Sequence, residues 1–120
     1  MDYGAAAEFT ARLLLEVRKR GLPAGTYLNV NFPARASDQI KGVLVTRQDT
    51  RPADEHYAKR TSPEGKEEYW SVYRPLTGGE KDTDTYAFSE GYISITPMTI
   101  DQTQKGLDGA LREWDIVKKR

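Results

Sequence analysis

Apolar residues fall at helical spacing in the first twenty positions. Phe9, Leu13 and Val17 stand at i, i+4 and i+8, with Ala6 one turn earlier, and form one stripe on "DYGAAAEFTARLLLEVRKR". The pattern predicts an amphipathic helix over Asp2–Arg20. Asp2 is its expected N-cap, Glu8 and Glu16 take the polar side, and Arg18, Lys19 and Arg20 complement the C-terminal dipole. Gly21 and Pro23 then stop it. A chain that opens directly on a core-facing helix leads us to expect further sequence upstream.

The period then changes from helical to two. "TYLNVNFP" alternates Tyr27, Asn29 and Asn31 with Leu28, Val30 and Phe32, a strand ended by Pro33. "KGVLVTR", Lys41 to Arg47, is a second strand, whose run Val43-Leu44-Val45 predicts burial on both faces. Glu55–Thr61 and Glu67–Arg74 flank the turn signal Pro63-Glu64-Gly65 and predict a β-hairpin. It carries Tyr57, Tyr69, Trp70 and Tyr73 but few aliphatic residues, the make-up of an arm that lies on something else. Asp84–Ser89 reads as a short helical turn and Tyr92–Met98 as a last strand, with Pro97 suggesting an edge. From Asp101 or Thr103 a terminal helix is expected to reach Lys118, with Leu107, Leu111 and Trp114 as its apolar face. Gly106 and Gly109 weaken that helix by about 1 kcal/mol each relative to alanine, so it needs packing to persist.

Composition narrows the function classes. Leu, Ile, Val and Phe make up only about a fifth of the chain, close to the margin for a self-sufficient core. Eighteen basic residues balance eighteen acidic ones, so no broad field attracts nucleic acid. No apolar run approaches the roughly 18 residues that span a bilayer. The absence of cysteine excludes disulfides, thiol catalysis and thiolate-bound zinc, and fits a cytoplasmic protein.

Candidate chemistry is sparse. Glu80, Asp82 and Asp84 resemble the start of a calcium loop but lack its central glycine and terminal glutamate; a solvated loop with Asp84 capping the next turn accounts for them. His56, the single histidine, has no second histidine or cysteine to join it at a metal. Ser94, Thr96 and Thr99 alternate with apolar residues as a strand's solvent face does, and no base or nucleophile elbow accompanies them. Gly78-Gly79 lacks the Lys-Ser/Thr of a phosphate loop. Asp101 and Lys105, at i and i+4, suit a charge pair at the start of the last helix, or one that fixes register across an interface.

In order, "YLNVNFP", "IKGVLVTRQDTRPADE", "YWSVYRP" and "DTDTYAFSEGYISITPMTIDQT", followed by an amphipathic helix, resemble the C-terminal half of the SurE (survival protein E) family. The resemblance covers nearly the whole chain. It implies an α/β fold: the C-terminal part of a Rossmann-type sheet with a projecting hairpin and a swapped C-terminal helix. On this division residues 1–47 complete the sheet, 48–81 form the arm and loop, and 82–120 bring the last strand and the oligomerisation helix. The family comprises 5'/3'-nucleotidases that use Mg²⁺ or Mn²⁺ to hydrolyse nucleoside monophosphates. Its catalytic Asn-Asp-Asp-Gly belongs to the N-terminal half and is not in this sequence, so no catalytic or metal-binding residue carries over.

What the resemblance implies for this chain is assembly. A dimer or tetramer would form by exchange of hairpin and helix, through Tyr57, Tyr69, Trp70, Tyr73, Asp101, Lys105, Leu107, Leu111 and Trp114, with no metal bound by the chain itself and neither nucleic acid nor membrane as partner. Two other readings stay open. One is a free-standing interaction module that uses the aromatic hairpin. The other is an enzyme active as it stands, with Asp82, Asp84 and His56 at an improvised metal site.

Overall fold

The computed structural model describes residues 3–118, and the expected cap Asp2 lies outside them. Helix α1 (Tyr3–Arg20) forms where the apolar stripe predicts it, and Ala6, Phe9, Leu13 and Val17 are its half-buried line. Gly21 closes it, donating to the Val17 carbonyl at 2.8 Å. Strand β1 (Thr26–Asn31) follows, then a 3-10 turn (Ser37–Gln39) and strand β2 (Val43–Val45). Strands β3 (Asp54–Thr61) and β4 (Glu67–Arg74) form the hairpin. Helix α2 (Asp84–Glu90), strand β5 (Ile93–Thr99) and helices α3 (Asp108–Arg112) and α4 (Asp115–Lys118) complete the order. The class is α/β, as expected.

The main sheet runs β1-β5-β2, with β5 antiparallel to β1 and parallel to β2. Pro97 therefore stands on the central strand, not on an edge. The ladder explains how. Ile93 donates to the Gly42 carbonyl and the Ile95 carbonyl accepts from Thr46, so alternate residues of β5 turn their backbone groups toward β2. The Pro97 nitrogen faces the same way but lies past Val45, where β2 has ended, and no ladder bond is lost.

Residues aligned across a ladder share a face, so the register sorts the sheet into two unlike surfaces. Leu28, Val30, Ile93, Ile95, Val43 and Val45 make one face apolar. Helix α1 lies along it: Phe9 meets Phe32 edge-on at 5.3 Å between ring centres, and Leu13 and Val17 line a groove with Leu28 and Val30. The other face carries Asn29, Asn31, Ser94 and Thr96, and α2 packs against it.

Two expectations about burial are overturned. Ser94 and Thr96 are fully buried rather than facing solvent. Burial is tolerated because each hydroxyl is satisfied: Asn31 Nδ2 donates to Ser94 Oγ at 3.2 Å, and the Thr46 and Thr96 hydroxyls share a 2.7 Å hydrogen bond. Conversely, β2 is not buried on both faces. It forms the sheet's edge, where Val45 is 76% exposed and Val43 45%.

Helix α2 owes its position to its ends. Thr83, rather than Asp84, is the N-cap, accepting from the Tyr86 amide, while Asp84 Oδ1 accepts from the amides of Thr85 and Asp49. Gly91 ends it at φ +93°, and a Cβ there would lie 2.8 Å from the Arg35 guanidinium carbon. Arg35 in turn donates to the Ser89 carbonyl.

The expected terminal helix is broken. Residues 101–107 are not helical, and α3 and α4 are separate short pieces. Gly106 adopts φ +106°, which no helix accommodates, and the Thr103 amide folds back onto Asp101 Oδ1 at 3.0 Å. Helices this short do not hold themselves together without packing.

The radius of gyration is 20.5 Å, against roughly 14 Å for a compact domain of this length. The hidden hydroxyl pair provides a test of the fold. Thr96→Val strands the Thr46 hydroxyl in the interior and should cost about 1–3 kcal/mol. Adding Thr46→Val should recover much of that loss, so that urea unfolding of the double variant falls well short of additivity.

Candidate functional site

The arm presents its aromatic residues on two faces. In the β3–β4 register Glu55 stands opposite Tyr73, Tyr57 opposite Ser71 and Lys59 opposite Tyr69, which places all three tyrosines on one face. The tyrosines are 58–71% exposed. Ser71 donates to Glu55 and Lys59 pairs with Glu67 at 2.5 Å, so polar groups rim the three rings. Trp70 belongs to the other face with Ala58, His56 and Val72. Its indole donates to Glu68, and the Arg60 guanidinium sits 5.3 Å from the ring centre, a cation–π contact that holds the ring in place.

At the chain's end, Leu107, Leu111 and Trp114 are 36–55% exposed on or beside the broken helices, with Ile116 and Val117 beyond them. Asp101 and Lys105 do pair, at 3.2 Å within the same chain, but in the loop before α3 instead of on a helix. The Asp101 carboxyl is held below the usual range by the Thr103 hydroxyl and amide first, and by Lys105 after them.

The residues of the improvised metal site stay apart in role. Asp82 pairs with Arg47 at 2.8 Å, Asp84 caps backbone amides, and His56 lies on the arm beside Asp54. Among the described residues, no group of three or more His, Asp or Glu side chains comes together in a way that could hold a metal ion. The metal that the family resemblance implies does not fit the residues present.

The root of the arm is organised around residues not singled out from the sequence. Arg47 bonds to both Glu80 and Asp82, and the backbones of Arg47, Asp82 and Asp84 are cross-linked by hydrogen bonds. Two residues on, Asp49 accepts from the Arg51 guanidinium at 2.6 Å and from the Arg51 amide at 3.0 Å. Arg51 also donates to the carbonyls of Thr77 and Gly78. The Asp49 side chain is only 7% exposed. The alternation Thr-Arg-x-Asp-x-Arg after β2 was the available signal, since it turns Arg47, Asp49 and Arg51 to one side.

An α/β sheet with one antiparallel strand beside a parallel pair, and a hairpin held outside it, defines the class of this chain. Comparison with known proteins gives the family. Residues 1–55 match the family model for survival protein SurE. The 5'-nucleotidase SurE of Symbiobacterium thermophilum is 40% identical over 97% of this chain, which covers 46% of that protein. For 5'-nucleotidase SurE 1 of Thermus thermophilus the identity is again 40%, over 92% of this chain and 43% of the relative. The crystal structure of the SurE protein from Aquifex aeolicus superposes with a TM-score of 0.73 at 33% identity, over 93% of this chain and 46% of the other. The chain belongs to the SurE family, and it spans about half the length of the relatives it matches.

Asp49 sets a pH dependence. Its carboxyl is driven far below the ordinary range, first by the Arg51 guanidinium, then by the Arg51 amide, with the Thr85 hydroxyl adding to them. A carboxyl with a lowered folded-state pKa contributes stability that is complete above its unfolded value of roughly 4 and fades as pH falls toward the folded one. Asp49→Asn should therefore lower the urea midpoint at neutral pH, and the gap to the unaltered chain should narrow steadily below about pH 4.

Proposed function

We propose that this chain is the assembly-forming half of a SurE-type 5'/3'-nucleotidase, a divalent-metal-dependent phosphohydrolase of nucleoside monophosphates. One observation carries the reading: its similarity to 5'-nucleotidases runs along 97% of this chain but covers only 46% of the relative. The reactive metal centre, with Mg²⁺ or Mn²⁺, is assigned to the half that this chain does not span. No step of the hydrolysis is attributed to residues here.

What this half supplies is a sheet and surfaces awaiting contact. A groove of about 610 Å³ between α1 and the sheet, lined by Phe9, Leu13, Leu15, Val43 and Ile95, opens on the unpaired edge of β2. Leu14 and Leu15 are both more than 60% exposed on α1. Apolar area of this kind stabilises a structure by about 25 cal/mol per Å² once covered, so such surfaces favour association. The remaining half is assigned to the groove and β2 edge. The arm tyrosines, Trp70 and the terminal apolar residues Leu107, Leu111 and Trp114 are assigned to neighbouring subunits of a dimer or tetramer, through exchange of arm and terminal segment.

Four outcomes are expected. The chain alone releases no phosphate from adenosine 5'-monophosphate with Mn²⁺, and addition of the N-terminal half of a SurE relative restores Mn²⁺-dependent release. Metal-dependent hydrolysis by the isolated chain would refute the assignment of the reactive centre. Sedimentation at high micromolar concentration shows self-association, which Tyr69→Ala weakens by about tenfold, the loss expected where an aromatic side chain anchors an interface. A monomer under those conditions would remove the assembly role.

A further inference from the structure

We propose that Asp49, Arg51 and the backbone of Thr77–Gly79 form a clasp that fixes the direction in which the β3–β4 arm leaves the sheet. The chain leaves the sheet after Val45 and comes back to the body of the fold at Asp84, where α2 begins, so the arm hangs on two legs. Two unlinked legs would let a hairpin swing. Here the outgoing leg is stitched to the returning one at three successive levels. Arg47 reaches Glu80 and Asp82, the Asp49 amide donates to Asp84, and Arg51 reaches the Thr77 and Gly78 carbonyls.

The outermost level is the best built. Exposed ion pairs are individually weak, but the Asp49 carboxylate is almost fully covered and accepts from both the side chain and the amide of Arg51. That leaves the planar guanidinium little freedom, and its remaining N–H groups point at the returning leg. Gly79 is shaped for it. Its φ is +107°, and a Cβ there would lie 2.7 Å from Arg51 Nη2 and 3.1 Å from Cζ. Gly79 thus has a structural role, since it lets Arg51 lie against the backbone. Pro52 and Pro75, next to the clasp on each leg, fix φ on the way into and out of the arm. At the hairpin's base Arg74 approaches Asp54 at 3.6 Å.

The consequence is preorganisation. An arm whose direction is set before contact loses less freedom when it binds, whichever surface receives it. The inference does not depend on the nucleotidase assignment or on the identity of the arm's partner.

The lack of native cysteine makes the test direct. Spin labels on Lys66→Cys at the arm's tip and Asp38→Cys beside the sheet report the arm's direction by electron–electron double resonance. Labelled chain is diluted in unlabelled chain so that only distances within one molecule count. The parent should give a narrow distribution. Arg51→Ala and, separately, Gly79→Ala should broaden it about twofold while far-UV circular dichroism keeps the sheet signal. Unchanged widths in both folded variants would overturn the clasp. Should Arg51→Ala not fold, Gly79→Ala and Arg51→Lys decide: the lysine keeps the charge but lacks the fork, and two narrow distributions would again refute the proposal.

Discussion

The hydrogen-bond ladder of β5 holds the main sheet together. Its partners come from far away in sequence: β2 lies about fifty residues earlier and β1 further still. Closing such long loops costs entropy that must be recovered from the contacts that close them. Here recovery comes from both sides of one strand. The ladder to β1 spans six aligned pairs and the ladder to β2 three, so the sheet is far more secure on one side than on the other. The tightly capped α2 then feeds straight into β5, the Tyr92 amide donating to the Ala87 carbonyl at 2.8 Å.

The two faces of that sheet solve different problems. On one, α1 offers a half-buried apolar line to Leu28, Val30 and Ile95, but the cover is incomplete and large side chains remain in contact with water. On the other, Asn31, Ser94, Thr46 and Thr96 satisfy one another, and no buried side-chain polar atom among the described residues lacks a partner. Fully buried large aliphatic residues are correspondingly few, with Ile93 the example on β5. The low aliphatic content of the chain is thus reflected directly in its interior, where hydroxyls stand in positions that a larger core gives to branched hydrocarbons.

Local pattern made much of this legible. The α1 stripe, the hairpin with its turn at Pro63-Glu64-Gly65, and the short helix before Gly91 all follow from spacing and from the residues that stop an element. What could not be read was anything decided by long-range neighbours. Ser94 and Thr96 have the spacing of a solvent face, and only the arrival of Asn31, Thr46 and α2 makes them interior. Val43-Leu44-Val45 has the composition of a buried strand, but burial needs a neighbour on the far side of β2. The terminal helix has its apolar spacing, yet Gly106 prevails once no packing opposes it. The aromatic arm was legible as an arm, whereas its root was not, because the Asp49–Arg51 pair acquires meaning only when Thr77–Gly79 folds back beside it.

The open edge of β2 has a bearing on solubility. An unpaired strand edge is a template on which other chains can stack, and the hazard grows with its length and flatness. This one is three residues long, about 10 Å of ladder, and charged side chains stand close to either end of it at Lys41 and Arg47. It is too short to seed an extended stack, and charge discourages the stack from growing past it. Brevity protects the most apolar edge of the sheet from fibrillar self-addition.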